Sequence, residues 1–236
     1  MKKLLNERIE ERSKLNNYLL KPSFPKKNLL IELSNACNNQ CIFCANRKMT
    51  RKKGFMDFDL LENVLKQCFD LGTREVGFYT TGEPLIYSKL DNAIKMAKTI
   101  GYDYVYITTN GILCDLNKFK NLVDAGLDSI KFSINALDEN SYKLIHNNDK
   151  FKTVLKNLQD AYNYKIEHNL KINVFVSYIS TKYTNHTTNE IKQFFKDMCD
   201  EVMAVNVRNQ SGLTPENVAL LGGVDDKDKI EAKRKL

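Results

Sequence analysis

The sequence predicts an α/β protein in which six parallel strands alternate with helices. Six short runs are rich in Val, Ile, Phe and Tyr, and apolar residues with helical spacing lie between them. The strand-like runs are apolar on both faces rather than on alternate residues. Strands buried on both faces are typical of a parallel sheet that is covered by helices.

The spacing of the six runs limits the kind of sheet they can form. The predicted strands are Asn28–Leu33, Glu75–Thr80, Asp103–Thr108, Ser129–Ile134, Ile172–Ile179 and Glu201–Val207. They start about 35 residues apart, which suits right-handed strand–helix units. Only 29 residues follow the sixth run, whereas two further units would need about 70, so an eight-unit barrel does not fit. The sheet is therefore a partial, six-stranded barrel or an open doubly wound sheet.

Helical patterns precede and separate the predicted strands. An N-terminal helix, roughly Leu4 to Leu19, comes first. Apolar residues at helical spacing then fall within 58–69, 94–100, 119–126, 154–162 and 191–198. We expect three parts: an N-terminal helical extension over 1–27, the core over 28–208, and a charged C-terminal segment over 209–236.

Composition excludes several classes of protein. Gly and Pro total only 14 of the 236 residues, which excludes a fibrous or low-complexity chain. No apolar run approaches the roughly 20 residues that cross a bilayer, and the amino terminus lacks the features of a secretory signal. We therefore expect a cytoplasmic protein that does not contact a membrane. The net charge of +7 is spread along the chain, as on a lysine-rich solvated surface, so a nucleic-acid partner is not expected.

The cysteines are unevenly distributed. Three of the six fall in the eight residues CNNQCIFC, at Cys37, Cys41 and Cys44. This spacing would arise by chance with a probability of roughly 0.2%, so it indicates a ligand set. A disulfide framework is disfavoured by the expected compartment and by the large core. The remaining cysteines are isolated and are expected to be inert buried thiols: Cys68, Cys114 and Cys199.

Polar residues gather where the predicted strands end. In parallel α/β proteins the chemistry lies beyond the carboxyl ends of the strands. The residues placed there are Cys37, Gly82, Glu83, Pro84, Asn110, Gly111, Ser133, Asn135, Tyr178, Asn206 and Arg208. Each one alone is explained by a turn, a loop entry or packing, but together they indicate one functional rim.

Three thiolates on one loop suit an iron–sulfur cluster better than zinc. Structural zinc is normally held by four Cys or His ligands in two short-spaced pairs. The next cysteine here, Cys68, lies inside a predicted helix, and no histidine is nearby in the sequence. A cubane cluster held by three thiolates keeps one iron open for a substrate or cofactor, whereas most clusters take four. Structural zinc stays open as the lesser alternative.

The C-x3-C-x2-C loop after the first strand resembles that of the radical S-adenosylmethionine enzymes, and the resemblance covers nearly the whole chain. It implies a partial (β/α)6 TIM-like barrel of parallel strands with an N-terminal helix. It also implies a [4Fe–4S] cluster whose open iron is chelated by S-adenosylmethionine. In that family an electron from the cluster cleaves the sulfonium to methionine and a 5′-deoxyadenosyl radical, which abstracts hydrogen from the substrate.

The same resemblance assigns a cofactor pocket. Phe43 matches the aromatic residue whose backbone flanks the adenine. The segment Thr81-Gly82-Glu83-Pro84 corresponds to the family's Gly-Gly-Glu-Pro, which receives the methionine amino group, with Thr in place of the first Gly. Ser133 and Asn135 match the positions that hold the ribose and carboxylate, and Asn110 completes the pocket. Gly82 is expected to let the backbone approach the ligand closely.

A narrower resemblance concerns residues 49–56. This segment looks like the one that follows the cluster loop in members with a C-terminal auxiliary-cluster (SPASM-type) domain. It implies that the chain is the core of a longer protein. The basic run Arg47–Lys53 overlaps the segment, but a solvated loop is the favoured interpretation of that run.

The resemblance also sets the expected partners. They are S-adenosylmethionine, a reductant such as flavodoxin or ferredoxin, and a peptide, protein, carbohydrate or other small-molecule substrate. The alternative from another class is an iron–sulfur or zinc module that binds nucleic acid or senses redox state. Candidates for the substrate side chains are Tyr79, Asn110, Tyr178, Asn206 and Arg208. Cys114, just past the third strand, is the candidate hydrogen-atom donor.

Overall fold

The computed structural model describes residues 4–15, 28–184 and 186–207, together with Thr214, Asn217 and Ala219. Six strands form one sheet in the order of the sequence, and every neighbouring pair is parallel. They are β1 Asn28–Leu30, β2 Glu75–Gly77, β3 Tyr104–Thr109, β4 Ser129–Ser133, β5 Asn173–Ser180 and β6 Glu201–Asn206. The predicted partial barrel of parallel strands is confirmed.

Helices lie between the strands, as the alternating pattern predicts. They are α1 Leu5–Leu15, α2 Phe58–Asp70, α3 Leu90–Ile100, α4 Leu116–Asp124, α5 Glu139–His146, α6 Phe151–Glu167 and α7 Thr188–Phe195. The main core lies between these helices and the sheet, and outward-facing strand residues such as Val76, Ile107 and Val174 are completely buried in it. None of the helices in the described ranges combines the length and hydropathy that a membrane span requires.

The structure corrects two boundaries at the carboxyl ends of the first strands. Strands β1 and β2 stop at Leu30 and Gly77, about three residues earlier than predicted. Beyond Leu30 the chain pairs instead with the segment that returns from the cysteine loop, through an antiparallel bridge of Ser34 with Phe55. The N–H of Met56 donates to the carbonyl of Leu33 at 2.8 Å in the same pairing.

Helix α5 is an element that the sequence analysis did not predict. Its segment ENSYKLIH holds few apolar residues, so its helical periodicity is weak. Asp138 caps the helix by accepting from the N–H of Ser141. The buried face consists of Tyr142, Ile145 and His146, which directs the end of the helix toward the carboxyl ends of the strands.

An aspartate fixes the start of β4 to β3. Asp128 donates its N–H to the carbonyl of Val105 at 2.9 Å, and its side chain accepts from the N–H of Val105 at 2.7 Å. Lys98 of α3 pairs with the same carboxylate at 3.0 Å. The carboxylate therefore joins two strands and a helix at a site that is almost completely buried.

The same arrangement recurs two units later. Asp200 donates its N–H to the carbonyl of Val174 at 2.8 Å and accepts from the N–H of Val174 at 2.7 Å. Lys165 of α6 pairs with this carboxylate. The two aspartate bridges, Asp128 and Asp200, show a structural repeat between units that share no near-exact sequence repeat.

Helix α1 closes the amino end of the barrel. Arg8 pairs with Glu75 at the start of β2 at 2.8 Å, and its guanidinium lies 3.2 Å from the ring centre of Tyr104. The N–H of Leu5 donates to Glu201 at the start of β6 at 2.9 Å. The predicted N-terminal helix is confirmed over Leu5–Leu15, and residues 1–3 and 16–27 lie outside the described residues. Between α1 and the strands lies a cavity of about 250 Å³.

We expect Asp128→Ala and Asp200→Ala each to lower the free energy of unfolding by about 2–4 kcal/mol. Each change leaves a strand N–H and a lysine without their carboxylate partner. Urea unfolding of the metal-free chain measures the effect. Asp124→Ala, at an exposed position at the end of α4, is the control and should change stability by about 0.5 kcal/mol or less. An equal effect of Asp128→Ala and the control would contradict the bridge.

Candidate cluster and cofactor site

The cysteine loop, residues 37–44, lies beyond the carboxyl end of β1. Its three thiols are free and half-buried. Backbone N–H groups point at two of the sulfur atoms: Asn39 donates to Cys37 Sγ and Asn46 donates to Cys44 Sγ, both at 3.4 Å. Cys44 also caps the short 3₁₀ turn Ala45–Lys48. The loop therefore directs one backbone N–H at each of these two sulfur atoms, and such a hydrogen bond stabilises negative charge on the sulfur.

Burial raises the pKa of the Cys37 and Cys41 thiols, and the neighbouring sulfur atoms add to the rise. In the metal-free protein both groups are therefore thiols at neutral pH, and metal binding would release their protons. Within the described part of the chain, no three His, Cys, Asp or Glu side chains converge on a point that would hold one metal ion. In a cubane each thiolate binds a different iron, so convergence on a single point is not required.

The segment Thr81–Pro84 lies directly against the start of the cysteine loop. Glu83 donates its N–H to the carbonyl of Ala36 at 2.8 Å. A Cβ atom at Gly82 would lie 2.0 Å from the carbonyl oxygen of Ser34 and 2.8 Å from that of Ala36. Our prediction that Gly82 serves close approach to a ligand is therefore incomplete, because its closest approach is to the protein's own backbone.

Glu83 is buried and ties the segment to the end of β3. Its carboxylate accepts from Thr109 Oγ1 at 2.7 Å, from the N–H of Asn110 at 2.7 Å and from the N–H of Leu85 at 3.1 Å. Burial raises the pKa of Glu83 to about 7, although these three donors favour the ionised form. Its hydrogen bonds are thus internal ones, and a contact with the methionine amino group stays a prediction.

Asn110 links β3 to the cysteine loop. Its Nδ2 donates to Asn38 Oδ1 at 2.6 Å and lies 3.8 Å from Cys37 Sγ. Its Oδ1 accepts from the N–H of Ile112, which closes the turn at Gly111. The residues that follow β1, β2 and β3 are therefore connected by hydrogen bonds, as their positions at the strand ends predict.

Asn135 and Ser133 follow β4 in different environments. Asn135 is completely buried, and its Oδ1 accepts from the N–H of Ile179 at 2.8 Å. Its amide nitrogen lies 3.4 Å from Ser133 Oγ. Ser133 is half-buried and is the better placed of the two to meet a ligand. Their roles toward ribose and carboxylate stay predictions.

His146 completes the site and was missed by the sequence analysis. It is the last residue of α5, and its Nδ1 lies 3.2 Å from Cys41 Sγ. Its side chain is almost completely buried, and burial lowers the pKa of His146 to about 3, so the imidazole is neutral. The separation of 105 positions between Cys41 and His146 hid this contact, because only the fold of α5 places them together.

Phe43 packs with Ile145 and Val207 in a second apolar cluster, which is separate from the main core. Its carbonyl accepts from Asn217 Nδ2 at 2.8 Å, and Asn217 is buried. A residue of the C-terminal segment therefore contacts the cysteine loop. The contact of the Phe43 backbone with adenine stays a prediction.

The basic run Arg47–Lys53 is a solvated loop, as predicted, because all of its residues except Met49 are exposed. Lys53 Nζ donates to Asn46 Oδ1 at 2.8 Å and to the carbonyl of Asn35 at 3.1 Å. Asn35 in turn accepts from the N–H of Gly54 at 2.7 Å. The run thus closes the cysteine loop against the end of β1.

The substrate candidates fall into different places. Tyr79 lies in the barrel interior, where Lys131 Nζ is 5.6 Å from its ring centre. Tyr178 is a core residue instead, because it is fully buried and its hydroxyl donates to the carbonyl of Thr184 at 3.3 Å. Asn206 ends β6 and is half-buried. Arg208 lies outside the described residues.

The three isolated cysteines are buried: Cys114 and Cys199 lie in the main core, and Cys68 lies on the buried face of α2. Cys114 is completely covered, and burial raises the pKa of its thiol. Its role as a hydrogen-atom donor stays a prediction.

Comparison with known proteins identifies the region that carries this site. The family model described as the Radical SAM superfamily matches residues 31–198. A GTP 3′,8-cyclase of Chlorobaculum tepidum is 33% identical over 129 residues, covering 54% of this chain and 38% of that protein. One from Staphylococcus aureus is 30% identical over 161 residues, covering 64% of this chain and 46% of that protein. The chain therefore spans less than half the length of these curated relatives.

Among solved structures, SuiB of Streptococcus suis bound to S-adenosylmethionine superposes with a TM-score of 0.70 at 19% identity. The superposition covers 98% of this chain and 51% of SuiB. At this level of identity the match shows the fold alone.

We expect Gly82→Ala to lose most of the bound iron, because the added Cβ would displace the backbone that leads into the cysteine loop. Iron and sulfide per chain after anaerobic reconstitution measure the loss. Gly54→Ala is the matched control, since a Cβ at Gly54 would meet nothing within 4 Å. Full iron content in a folded Gly82→Ala protein would show that the contact is not needed.

We also expect Glu83 to make stability fall as pH rises. The pKa of Glu83 is about 7 in the folded chain against an ordinary 4.5. Between pH 4.5 and 7, therefore, Glu83 is protonated in the folded chain and ionised in the unfolded chain. The stabilisation is complete below about pH 4.5 and is lost as pH rises through 7, amounting to about 3 kcal/mol. Glu83→Gln should lack this dependence. The difference in unfolding free energy between the two proteins, measured from pH 4 to 8, should therefore decline, and a constant difference would refute the assignment.

Proposed function

Because this chain belongs to the radical SAM superfamily, we propose that Cys37, Cys41 and Cys44 hold a [4Fe–4S] cluster at which S-adenosylmethionine is reductively cleaved. Enzymes of this superfamily use that cluster and that cosubstrate. The observation that supports these ligands is that each sulfur has a protein nitrogen nearby, at 3.4, 3.2 and 3.4 Å respectively. Nitrogen donors around sulfur are a feature of iron–sulfur sites.

The donor set fits a cubane with one open iron. Three thiols lie on one loop, and the cysteines elsewhere in the described residues are buried. When bound, the cluster supplies the electron that cleaves the sulfonium to methionine and the 5′-deoxyadenosyl radical. The protein's part is to hold both groups in place and to position a substrate hydrogen beside the radical.

The cofactor pocket is proposed along the carboxyl ends of β1 to β4. The Thr81–Pro84 segment would receive the methionine end, since it lies against the residues that precede the cysteine loop. Ser133 and Asn135 are proposed on the ribose side, with Phe43 and Asn110 completing the pocket.

The substrate is proposed to enter the barrel interior from the cluster end, because α1 occupies the amino end. A peptide, protein or carbohydrate is one proposal for its class. A purine nucleotide is a second, favoured by the curated relatives named for GTP and by the cationic Lys131 inside the barrel. The substrate class is identified by measuring which compound raises the rate of 5′-deoxyadenosine formation above the rate without added substrate.

Further proposals concern the protein as a whole. The electron would come from a reduced flavodoxin or ferredoxin. We propose that the chain consists of an N-terminal extension, a core over 28–208 and a C-terminal segment. We also propose that the full protein continues into an auxiliary-cluster domain of the SPASM type. The alternative of a nucleic-acid or redox-sensing module is not favoured, since the matched family consists of enzymes.

We expect the reconstituted chain to bind about four irons through the three loop cysteines. Changing any one of them to Ala should abolish 5′-deoxyadenosine formation after chemical reduction, because the cubane loses one of only three protein ligands. Cys68→Ala and Cys199→Ala are the controls and should keep both iron and activity. Normal 5′-deoxyadenosine formation by Cys41→Ala would overturn the proposed function.

A further inference from the structure

We propose that His146 is a positioning residue of the cluster. Its Nδ1–H donates a hydrogen bond to Cys41 Sγ, and this bond raises the reduction potential of the cluster. The inference rests on the proposed function, since it requires that Cys41 is a cluster ligand. It adds a hydrogen-bond donor to one of the three proposed ligands, from a residue that follows Cys41 by 105 positions.

The surroundings of the ring decide which nitrogen carries the proton. The imidazole has one ring proton when neutral. At the far nitrogen, Nε2, the backbone N–H and the side-chain amide nitrogen of Asn135 both lie at 3.4 Å. A backbone N–H is always a donor and cannot be reversed, so Nε2 must accept and the proton must be on Nδ1. Nδ1 faces Cys41 Sγ at 3.2 Å.

A second side chain also approaches Nδ1. The amide nitrogen of Asn39 lies 3.3 Å from it. With the proton on Nδ1, the amide N–H of Asn39 faces one ring N–H. With the proton on Nε2, both the backbone N–H and the side-chain amide N–H of Asn135 would face a ring N–H. The Nδ1–H form therefore has the fewer conflicts. A Cys41 thiolate, which can only accept, strengthens this preference when a metal is bound.

The backbone holds the histidine at this distance. The N–H groups of Gln40 and Ile42, which flank Cys41, donate to the carbonyls of His146 and Ile145 at 3.3 and 2.9 Å. The imidazole also stacks on Tyr142, with ring centres 4.2 Å apart. Both the loop and the ring are therefore fixed, so the N–H···S contact does not depend on a mobile side chain.

A donor to a ligating sulfur changes the electron affinity of the cluster. Reduction adds negative charge, which delocalises onto the sulfur ligands, and a hydrogen bond stabilises the more negative state. The effect is strong where water is excluded, and His146 is almost completely buried. Losing the donor should make the cluster harder to reduce.

The test compares His146→Phe, which keeps a stacking ring but removes the donor, with His146→Asn, whose amide nitrogen replaces Nδ1. Both are reconstituted anaerobically, and the midpoint potential is measured by redox titration followed by EPR. We expect the midpoint potential of the Phe variant to be lower by about 59 mV. For one electron this corresponds to about a tenfold lower ratio of reduced to oxidised cluster at a fixed potential. The Asn variant should recover most of this shift.

The matched control is His168→Phe. The ring of His168 lies beside that of Tyr164, also four residues earlier and with ring centres 4.1 Å apart, but His168 is exposed. Its replacement should leave the potential unchanged. An unchanged potential in His146→Phe with full iron and sulfide content would overturn the proposal, and so would equal shifts in the Phe and Asn variants.

A spectroscopic measurement on the unaltered chain covers the case in which His146→Phe does not assemble a cluster. Pulsed EPR of the reduced cluster in protein labelled with ¹⁵N-histidine should show a weak nitrogen coupling. No coupling would overturn the proposal, and a coupling large enough for direct iron ligation would replace it with a histidine ligand. If the wild type bound no cluster at all, the proposed function would have failed instead.

Discussion

The close approach of Gly82 to the backbone at Ser34 and Ala36 is the constraint on which the site depends. It brings the segments that follow β1 and β2 into direct contact, at a separation that a side chain would prevent. The N–H of Glu83 then reaches Ala36, and its carboxylate reaches the end of β3. One small residue thus allows the ends of three strands to be joined into a single rim.

Uncharged amides carry much of the polar structure around the cysteine loop. Asn35, Asn39, Asn110 and Asn135 each bond to another segment of the rim. An amide offers both donors and acceptors, so it can satisfy buried backbone groups without bringing a charge. This suits a site proposed to hold an anionic cluster beside a cationic cosubstrate, where fixed charges would shift the balance between the two.

The strands and the cysteine loop proposed to bind the cluster could be predicted because their signals are local. Apolar runs such as 172–179 and the Cys37 triplet are readable from neighbouring residues alone. Helix α5 could not, since its eight residues include only three apolar ones, and His146 was lost with it. Tyr178 lies at a strand end but faces the helices, because strand register decides which face a residue occupies. The reason for glycine at position 82 is likewise a contact between segments far apart in the chain.

The contact between Cys41 and His146 has a consequence for how the protein is made. Each strand pairs with its neighbour in the sequence, so the sheet can grow as the chain leaves the ribosome. The three thiols emerge early, whereas the helix that covers Cys41 follows 105 residues later. At roughly 5–20 residues per second this delay is about 5–20 s. During that time oxidation would compete with loading of the proposed cluster at thiols that the rest of the fold does not yet cover.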